Sequence, residues 1–382
     1  MSAEPAGQID GELPPEAWVV GLAALPLMGP ARLVALLRRW SPEEAWNQVV
    51  GGTAALSPGV AASLATGKES VPGEWQVAAR ATHVEDLWAR HHGADLEIDW
   101  GGGGGLPEVL ADDLEPPGVL FRRGTYDALD GPRVAIVGTR RCTRYGRDVA
   151  FDLGVDLSTA GVRVVSGLAT GIDAAAHRGA LAGGAPPIGV VGTGLDVVYP
   201  RSSADLWRDV AEAGLLITEA PLSAPPARWR FPARNRLVAA VADVVVVVES
   251  GTSGGSLYTV EEALRRDRPV LAVPGSVHSP ASAGTNALLA DGAPVCRDAT
   301  DVLLQLGLSA DAGGRGGAKA ARPAPDADAA QVLDAIGWEP AEITGLALRT
   351  GFELGRLALA LDRLEASSWI VRSGAWMEQV AP

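Results

Sequence analysis

A run of five valines, Val244–Val248, constrains the fold of this chain more than any other feature. A strand that is apolar at every position must be covered on both faces, as the inner strands of parallel sheets are. Six apolar strands alternating with helix-like stretches are predicted around and including this run, at residues 133–137, 162–165, 187–191, 215–218, 243–248 and 269–273. The pattern predicts an α/β fold with a doubly wound, mostly parallel Rossmann-like sheet. In such a fold the ligand crevice lies beyond the carboxyl ends of the strands.

The rest of the chain predicts further domains around this sheet. Residues 10–75 read as a helical domain broken at Pro26, Gly29 and Pro30, similar to helix-hairpin-helix and sterile-alpha-motif modules. Residues 76–307 form the extended Rossmann-like domain, and residues 308–327, rich in Ala, Gly, Pro and Asp, predict a flexible linker. Residues 328–382 predict a winged helix, with helices at 331–336, 342–348 and 354–366 and a hairpin at 369–376.

Composition favours a soluble globular protein, because 47% of the 382 residues are hydrophobic and 20% are charged. No apolar run approaches the ~20 residues that span a bilayer. The N-terminal segment is polar and acidic, which does not fit a signal peptide. The only cysteines are Cys142 and Cys296, which predicts neither a disulfide framework nor a metal cluster. We therefore expect a cytoplasmic protein without membrane, metal or cofactor.

The net charge of −14 argues against a nucleic-acid partner, but the distribution of charge matters more than the sum. Two stretches without acidic residues concentrate arginines, and they could focus a positive field in one cleft. About half of these arginines are expected to be solvated or paired structurally. They are Arg133, Arg140, Arg141, Arg144 and Arg147 in the first stretch, and Arg228, Arg230, Arg234 and Arg236 in the second.

The segment from Ser166 to His177 reads as a strand end, a glycine turn and a helix N-terminus. Backbone amides in such a turn lack intrahelical partners and favour an anion such as phosphate. Gly167 and Gly171 would let a ligand approach the backbone closely, and Asp173 could cap the helix. A tight turn without a ligand is the alternative, and from the residues alone neither is favoured.

The same segment, Ser-Gly-Leu-Ala-x-Gly-Ile-Asp-x-x-Ala-His, resembles the signature of the DprA (Smf) family of DNA-processing proteins. Phe231-Pro-x-Arg-Asn-Arg236 resembles a second family motif, and Gly138-x-Arg140 followed by Tyr145-Gly146 resembles a third. In the loop after the valine run, Gly255, Ser256, Leu257 and Thr259 match the family pattern. Gly254 replaces a serine there, and Val260 replaces an alanine.

The resemblance implies a non-enzymatic homodimer that binds single-stranded DNA and hands it to the RecA recombinase during transformation. It implies no catalytic residues, metal or cofactor. Of Arg234 and Arg236, one is expected to reach phosphate and the other to form a structural pair. Trp229 would either stack on bases or pack over Pro225–Pro226. The DNA-binding residues implied are Gly138, Arg140, Ser166, Gly167, Ala169, Gly171, Arg228, Trp229, Arg230, Phe231, Arg234, Asn235, Arg236, Gly255, Ser256 and Thr259.

The helix predicted at 354–366 bears on what the winged helix binds. It carries Arg356 and Arg363 but also Asp362 and Glu365. A face of such mixed charge favours a protein contact over the reading of duplex DNA.

Three enzyme classes are alternatives. Ser166, Asp173 and His177 suggest a hydrolase, but the Gly-x-Ser-x-Gly elbow is missing, and Asp173 reads as a cap with His177 bonded to it. A phosphoribohydrolase of the cytokinin-activating, lysine-decarboxylase-like fold is the stronger alternative, because residues 253–257 with Glu261 partly match its phosphate loop. A dinucleotide-dependent oxidoreductase is disfavoured by Arg140, which stands where small residues are needed.

Overall fold

The computed structural model describes residues 12–65, 71–308, 323–337 and 340–380. The chain forms two compact units, Met1–Gly313 and Gly314–Pro382. No helix in the described ranges is both long and apolar enough to cross a bilayer.

The first unit begins with a helical bundle. Proline opens four of its helices, at the first helical position where its missing N–H costs nothing. Its core includes Leu22, Trp46 and Trp75. The helices are α1 (Pro15–Ala23), α2 (Pro30–Leu37), α3 (Pro42–Gly51), α4 (Pro58–Leu64), α5 (Val71–Ala81) and α6 (Val84–His92).

The predicted break between α1 and α2 is confirmed, whereas the predicted domain boundary at residue 75 is wrong. Residue 75 lies in the middle of α5, and the Trp75 indole is buried and donates a hydrogen bond to the Pro26 carbonyl at 2.9 Å. The helical region therefore continues to His92. Residues 10, 11 and 66–70 of the predicted domain lie outside the described residues.

A single eight-stranded sheet follows, in the order β1-β2-β6-β5-β4-β3-β7-β8. The strands from β3 to β8 are parallel to their neighbours, and β1 and β2 are added antiparallel at one edge. All six predicted strands are confirmed to within one residue at each end. The strands are β1 (Glu97–Trp100), β2 (Val119–Arg123), β3 (Arg133–Val137), β4 (Arg163–Ser166), β5 (Ile188–Val190), β6 (Leu215–Thr218), β7 (Val244–Val247) and β8 (Val270–Ala272).

Helices cover both faces of the sheet, which explains the unbroken valine run. Val245 and Val247 pack on the face that α11 and α12 cover, and Val244 and Val246 pack on the face of α8, α9 and α14. The helices are α7 (Glu108–Ala111), α8 (Arg144–Thr159), α9 (Ile172–Gly183), α10 (Ala204–Ala213), α11 (Arg230–Val241), α12 (Ser256–Leu264), α13 (Ala283–Ala290) and α14 (Ala299–Gln305). The doubly wound prediction is confirmed.

Strand order places the ligand crevice. β3 lies between β4 and β7, so the chain turns to opposite sides of the sheet after β3 and after β7. Loops diverge at such a switch point and leave a crevice at the carboxyl ends of the strands. The predicted site segments at 138–140, 166–171 and 255–259 lie at or after the ends of β3, β4 and β7, and the segment at 228–236 leads into α11 after β6.

The second unit is a winged helix, as predicted. It contains α15 (Ala327–Ile336), β9 (Ala341–Glu342), α16 (Ile343–Thr350), α17 (Leu354–Ala366), β10 (Ile370–Ser373) and β11 (Trp376–Gln379), with sheet order β10-β11-β9. Its core includes Val332, Leu346, Leu357 and Leu361. Residues 309–322 of the predicted linker lie outside the described residues. Its last residue, Ala327, already begins α15, and Asp326 caps this helix by accepting a bond from the Ala329 amide at 2.9 Å.

Candidate nucleic-acid interface

The loop after β3, residues 138–143, is called the Arg140 loop below. Gly138 is enclosed at its base, since a Cβ atom there would lie 2.6 Å from Ile172 Cγ1 and 2.8 Å from the Glu249 carbonyl oxygen. Arg140 is exposed, and its guanidinium lies 4.9 Å from the centre of the Phe231 ring. No carboxylate in the described part of the chain forms an ion pair with Arg140. Its charge is therefore available to a ligand.

The turn after β4 differs from the prediction that its amides face a phosphate. The Asp173 carboxylate accepts the Gly167 amide at 3.1 Å and the Ala169 amide at 3.4 Å. The Ser166 hydroxyl is buried and donates to the Ile136 carbonyl at 2.7 Å. The chain's own carboxylate thus satisfies these donors, which corrects the role expected for Ser166, Gly167 and Ala169.

The turn instead supports the Arg140 loop. Gly171 has φ of 84°, a left-handed conformation that favours glycine, and a Cβ atom there would collide with the Thr139 carbonyl. The Ile172 amide donates to the same carbonyl at 3.3 Å. The conformation of the Arg140 loop therefore depends on the turn beneath it.

A buried cation lies under this turn. Arg234 is only 7% exposed, donates from Nη1 to the Val190 carbonyl, and presses against Gly167. Its Nε has no hydrogen-bond partner among the described residues. Burial lowers the pKa of Arg234 to about 10, and the nearby Asp173 carboxylate opposes this shift. The floor of the crevice thus holds a buried cation, Arg234, with the Asp173 carboxylate nearby.

The prediction that His177 bonds to Asp173 is wrong. The His177 ring is completely buried, and its Nε2 lies 3.1 Å from the Ile188 carbonyl oxygen. Its Nδ1 has no partner in the described ranges. Ser166, Asp173 and His177 therefore do not form the hydrogen-bonded series that a hydrolase needs.

The other arginine of the second motif has a structural role, in line with the expectation that one of the two would. Arg236 pairs with Glu219 at 2.5 Å, both side chains being largely buried, and donates to the Glu115 carbonyl. This corrects its place among the DNA-binding residues, because a guanidinium held in this way cannot reach a ligand. Between the two arginines, Asn235 donates to the Gly255 carbonyl at 3.1 Å and joins α11 to the loop after β7.

Aromatic rings continue the surface that begins with Arg140. The Phe231 ring lies 5.5 Å from the ring of Tyr199, in the loop after β5, and Tyr199 is 40% exposed. Arg140, Phe231 and Tyr199 thus form a cation–aromatic series that joins the loops after β3 and β5 through the first turn of α11. Tyr199 was not predicted. It could have been found in the sequence as an aromatic residue at the end of the loop that follows the apolar strand at 187–191.

Trp229 precedes the first turn of α11 and is not part of the cation–aromatic series. It is also 40% exposed, and the Arg230 guanidinium lies 5.1 Å from its ring centre. The ring faces Gly29 of the helical region, where an added Cβ atom would lie 3.7 Å from Trp229 Cζ3. Arg230 also donates to the Pro225 carbonyl at 3.0 Å, whereas Arg228 is exposed and forms no ion pair with any described residue.

The loop after β7 contributes less than predicted. Ser256 and Thr259 are buried, and the Ser256 hydroxyl donates to the Ser250 hydroxyl at 2.9 Å. Their side chains therefore belong to the protein interior, which corrects their predicted contact with DNA. Gly255 alone of the three is exposed, with open space where a side chain would be.

A carboxylate that was not predicted occupies the N-terminus of α8. Glu249 is 1% exposed and accepts the Thr143 amide at 2.8 Å and the Thr143 hydroxyl at 2.6 Å. Dinucleotide-binding folds use this helix end for a pyrophosphate. Because Glu249 already lies there, the helix end is closed to a nucleotide phosphate, which adds to the case against an oxidoreductase. The signal was an acid directly after the valine run.

Three of the nine arginines in the two arginine-rich stretches form ion pairs. Arg133 pairs with Asp243, Arg144 with Asp148, and Arg236 with Glu219. The remaining six arginines form no ion pair with described residues: Arg140, Arg141, Arg147, Arg228, Arg230 and Arg234. Three of the nine arginines are thus paired structurally, and Arg141, Arg147 and Arg228 are exposed to solvent, in line with the expectation that about half are paired or solvated. Positive charge remains at the crevice of an acidic protein.

In the winged helix, by contrast, the arginines of α17 are paired with carboxylates. Arg356 pairs with Asp328 at 2.5 Å, and Arg363 pairs with Asp326 at 2.6 Å. Both arginines of α17 are thus neutralised within the domain.

Comparison with known proteins places the chain among DNA-processing proteins. The model of the DNA recombination-mediator protein A family matches residues 104–307, and that of the DprA winged helix domain matches residues 317–374. The chain is 37% identical over 201 residues to the DNA processing protein DprA of Bacillus subtilis, covering 52% of this chain and 68% of that one. It is 38% identical over 199 residues to DprA of Streptococcus pneumoniae, covering 52% and 70%.

Solved structures agree with the sequence comparison. That of DprA from Streptococcus pneumoniae matches with a TM-score of 0.61 at 28% identity, over 77% of this chain and 98% of that one. That of DprA from Helicobacter pylori, described for its single-stranded DNA binding mode, matches with a TM-score of 0.51 at 29% identity, over 56% and 96%. With its family-specific motifs assembled at one crevice, the chain belongs to the DNA recombination-mediator protein A family.

Proposed function

We propose that this protein binds single-stranded DNA at the carboxyl ends of the parallel strands, where the loops after β3 and β5 meet the start of α11. The cation–aromatic series of Arg140, Phe231 and Tyr199 above the buried Arg234 is the observation that carries the proposal. Cations attract the phosphate backbone, and exposed rings stack on unpaired bases, whatever the sequence. A duplex does not present its base faces, so this combination favours a single strand.

The wider function rests on the family. We propose that the bound strand is protected and passed to the RecA recombinase, in transformation or recombination, by a cytoplasmic, non-enzymatic homodimer. Two crevices on one strand would raise avidity without new contacts. For the winged helix we propose a protein partner rather than duplex DNA, because its two α17 arginines are already neutralised by Asp326 and Asp328.

Binding is tested with Arg140→Ala and Arg234→Ala, measured by fluorescence anisotropy of labelled oligonucleotides at several salt concentrations. Both variants should weaken binding regardless of sequence. Arg140→Ala should also lower the salt slope by about one, whereas Arg234→Ala should change the slope less because its side chain is buried. Arg141→Ala is the matched control, because it removes an exposed arginine next to Arg140 that lies outside the cation–aromatic series. Unchanged affinity in both test variants would overturn the proposed site.

Two further assays separate the wider proposals. RecA strand exchange on single-stranded DNA should increase when the protein is added, and no increase would contradict RecA loading while leaving DNA binding intact. Incubation with AMP should release no adenine. Release of adenine would favour the phosphoribohydrolase alternative.

A further inference from the structure

We infer that Glu249 is a positioning residue that sets the orientation of Arg140 for single-stranded DNA. This inference rests on the proposed function of the crevice. Glu249 itself is buried and cannot touch a strand. It acts through the loop that carries Arg140.

Two anchors connect Glu249 to the ends of that loop. Its main-chain carbonyl accepts the Thr139 amide at 2.8 Å, just before Arg140. Its side-chain carboxylate accepts both the amide and the hydroxyl of Thr143, three residues after Arg140. Only residues 140–142 span the distance between the anchors. A span this short has few conformations once both of its ends are fixed.

The second anchor is also the start of α8. The Thr143 hydroxyl donates to Glu249 and accepts the Gly146 amide at 3.1 Å, so one hydroxyl connects the carboxylate to the first turn of the helix. Gly146 leaves the space that the carboxylate fills, since a Cβ atom there would collide with it. Neither lysine nor arginine pairs with Glu249 among the described residues. The helix N-terminus and these donors hold its negative charge.

This arrangement makes a prediction that simple electrostatics does not. Glu249 is a negative charge near a site for an anionic polymer, so neutralising it should tighten DNA binding if charge alone mattered. If it positions Arg140, neutralising it should weaken DNA binding in spite of the favourable change in charge. The sign of the effect therefore separates the two explanations.

The test uses Glu249→Gln, which keeps size and removes charge, and Thr143→Val, which keeps shape and charge but removes the hydroxyl. Thr143→Ser is the matched control, because it retains the hydroxyl. We expect the first two variants to weaken binding of an oligo-dT strand about threefold to tenfold, and the control to leave it unchanged. Thermal unfolding of each variant shows that the protein is folded at the assay temperature.

Combination with Arg140→Ala shows whether the effect passes through Arg140. In that background Glu249→Gln should no longer weaken binding, because the side chain to be positioned is absent. Tighter binding by Glu249→Gln, or an equal loss with and without Arg140, would overturn the inference. If Arg140→Ala and Arg234→Ala both leave affinity unchanged, the proposed function itself fails, which is a different result.

Discussion

The guanidinium of Arg234 lies so close to Gly167 that a Cβ atom at position 167 would collide with both of its terminal nitrogens. The two residues come from different motifs, one in the turn after β4 and one on α11. Glycine is needed here because a cation packs on it, and not because the turn needs an unusual backbone angle. The buried charge and the turn above it therefore form one unit.

Gly167→Ala should displace Arg234 and weaken binding of single-stranded DNA about tenfold, with a loss of stability of about 1–3 kcal/mol from overpacking. Anisotropy titration and denaturant unfolding measure the two effects. Gly73→Ala is the control, because that glycine lies in α5 with open space around it. It should leave affinity unchanged and raise stability by up to about 1 kcal/mol. Full affinity in Gly167→Ala would contradict a role for Arg234 in binding.

Tyr199→Leu and Trp229→Leu compare two rings of equal exposure. Only Tyr199 belongs to the cation–aromatic series with Phe231 and Arg140. Its loss should cost about 1–3 kcal/mol of binding free energy if bases stack on it, whereas loss of Trp229, which faces Gly29, should cost less. An abasic strand of the same length should remove the difference between the variants. A larger loss for Trp229→Leu would show that the bases stack on Trp229 rather than on Tyr199.

Arg236→Ala should destabilise the protein without a specific effect on DNA. Removing this guanidinium leaves Glu219 buried without its partner, which costs about 3–5 kcal/mol in comparable pairs. Urea unfolding measures the loss. At a temperature where the variant is folded, its affinity for an oligonucleotide should stay within about twofold of that of the natural protein. A large loss of affinity in the folded variant would return Arg236 to the binding site.

His177 should make the protein sensitive to acid. Burial lowers its pKa from 6.5 to about 4, so the folded protein holds the neutral ring where the unfolded chain already binds a proton. This contribution to stability is complete above pH 6.5 and is lost as pH falls through 4, by about 3 kcal/mol in total. The free energy of unfolding, measured between pH 7 and 4, should fall less steeply in His177→Gln. Equal slopes would show that His177 titrates normally.

Some features of the fold and the site are visible in the sequence, and others are not. The valine run and its neighbours define six strands, because a strand covered on both faces must be apolar throughout. The motif around Arg140 and the Phe-Pro-x-Arg-Asn-Arg motif identify a loop and a helix start that do meet, at Arg140 and Phe231. The boundary at residue 75 was wrong because the helix pattern continues through it. Only the burial of Trp75 against Pro26 shows that the helices before and after it share one core.

The six parallel strands, their ends and the family could be predicted from the sequence alone, since these depend on local periodicity and short motifs. The antiparallel strands β1 and β2 were not predicted. The directions of the polar side chains follow only from the contacts that form between distant segments. Arg234 and Arg236 are two residues apart on one helix, yet one lies under Gly167 and the other pairs with Glu219. Glu249 meets Thr143 from 106 residues away. Such contacts depend on which distant segments become neighbours when the sheet forms, and no local pattern in the chain records them.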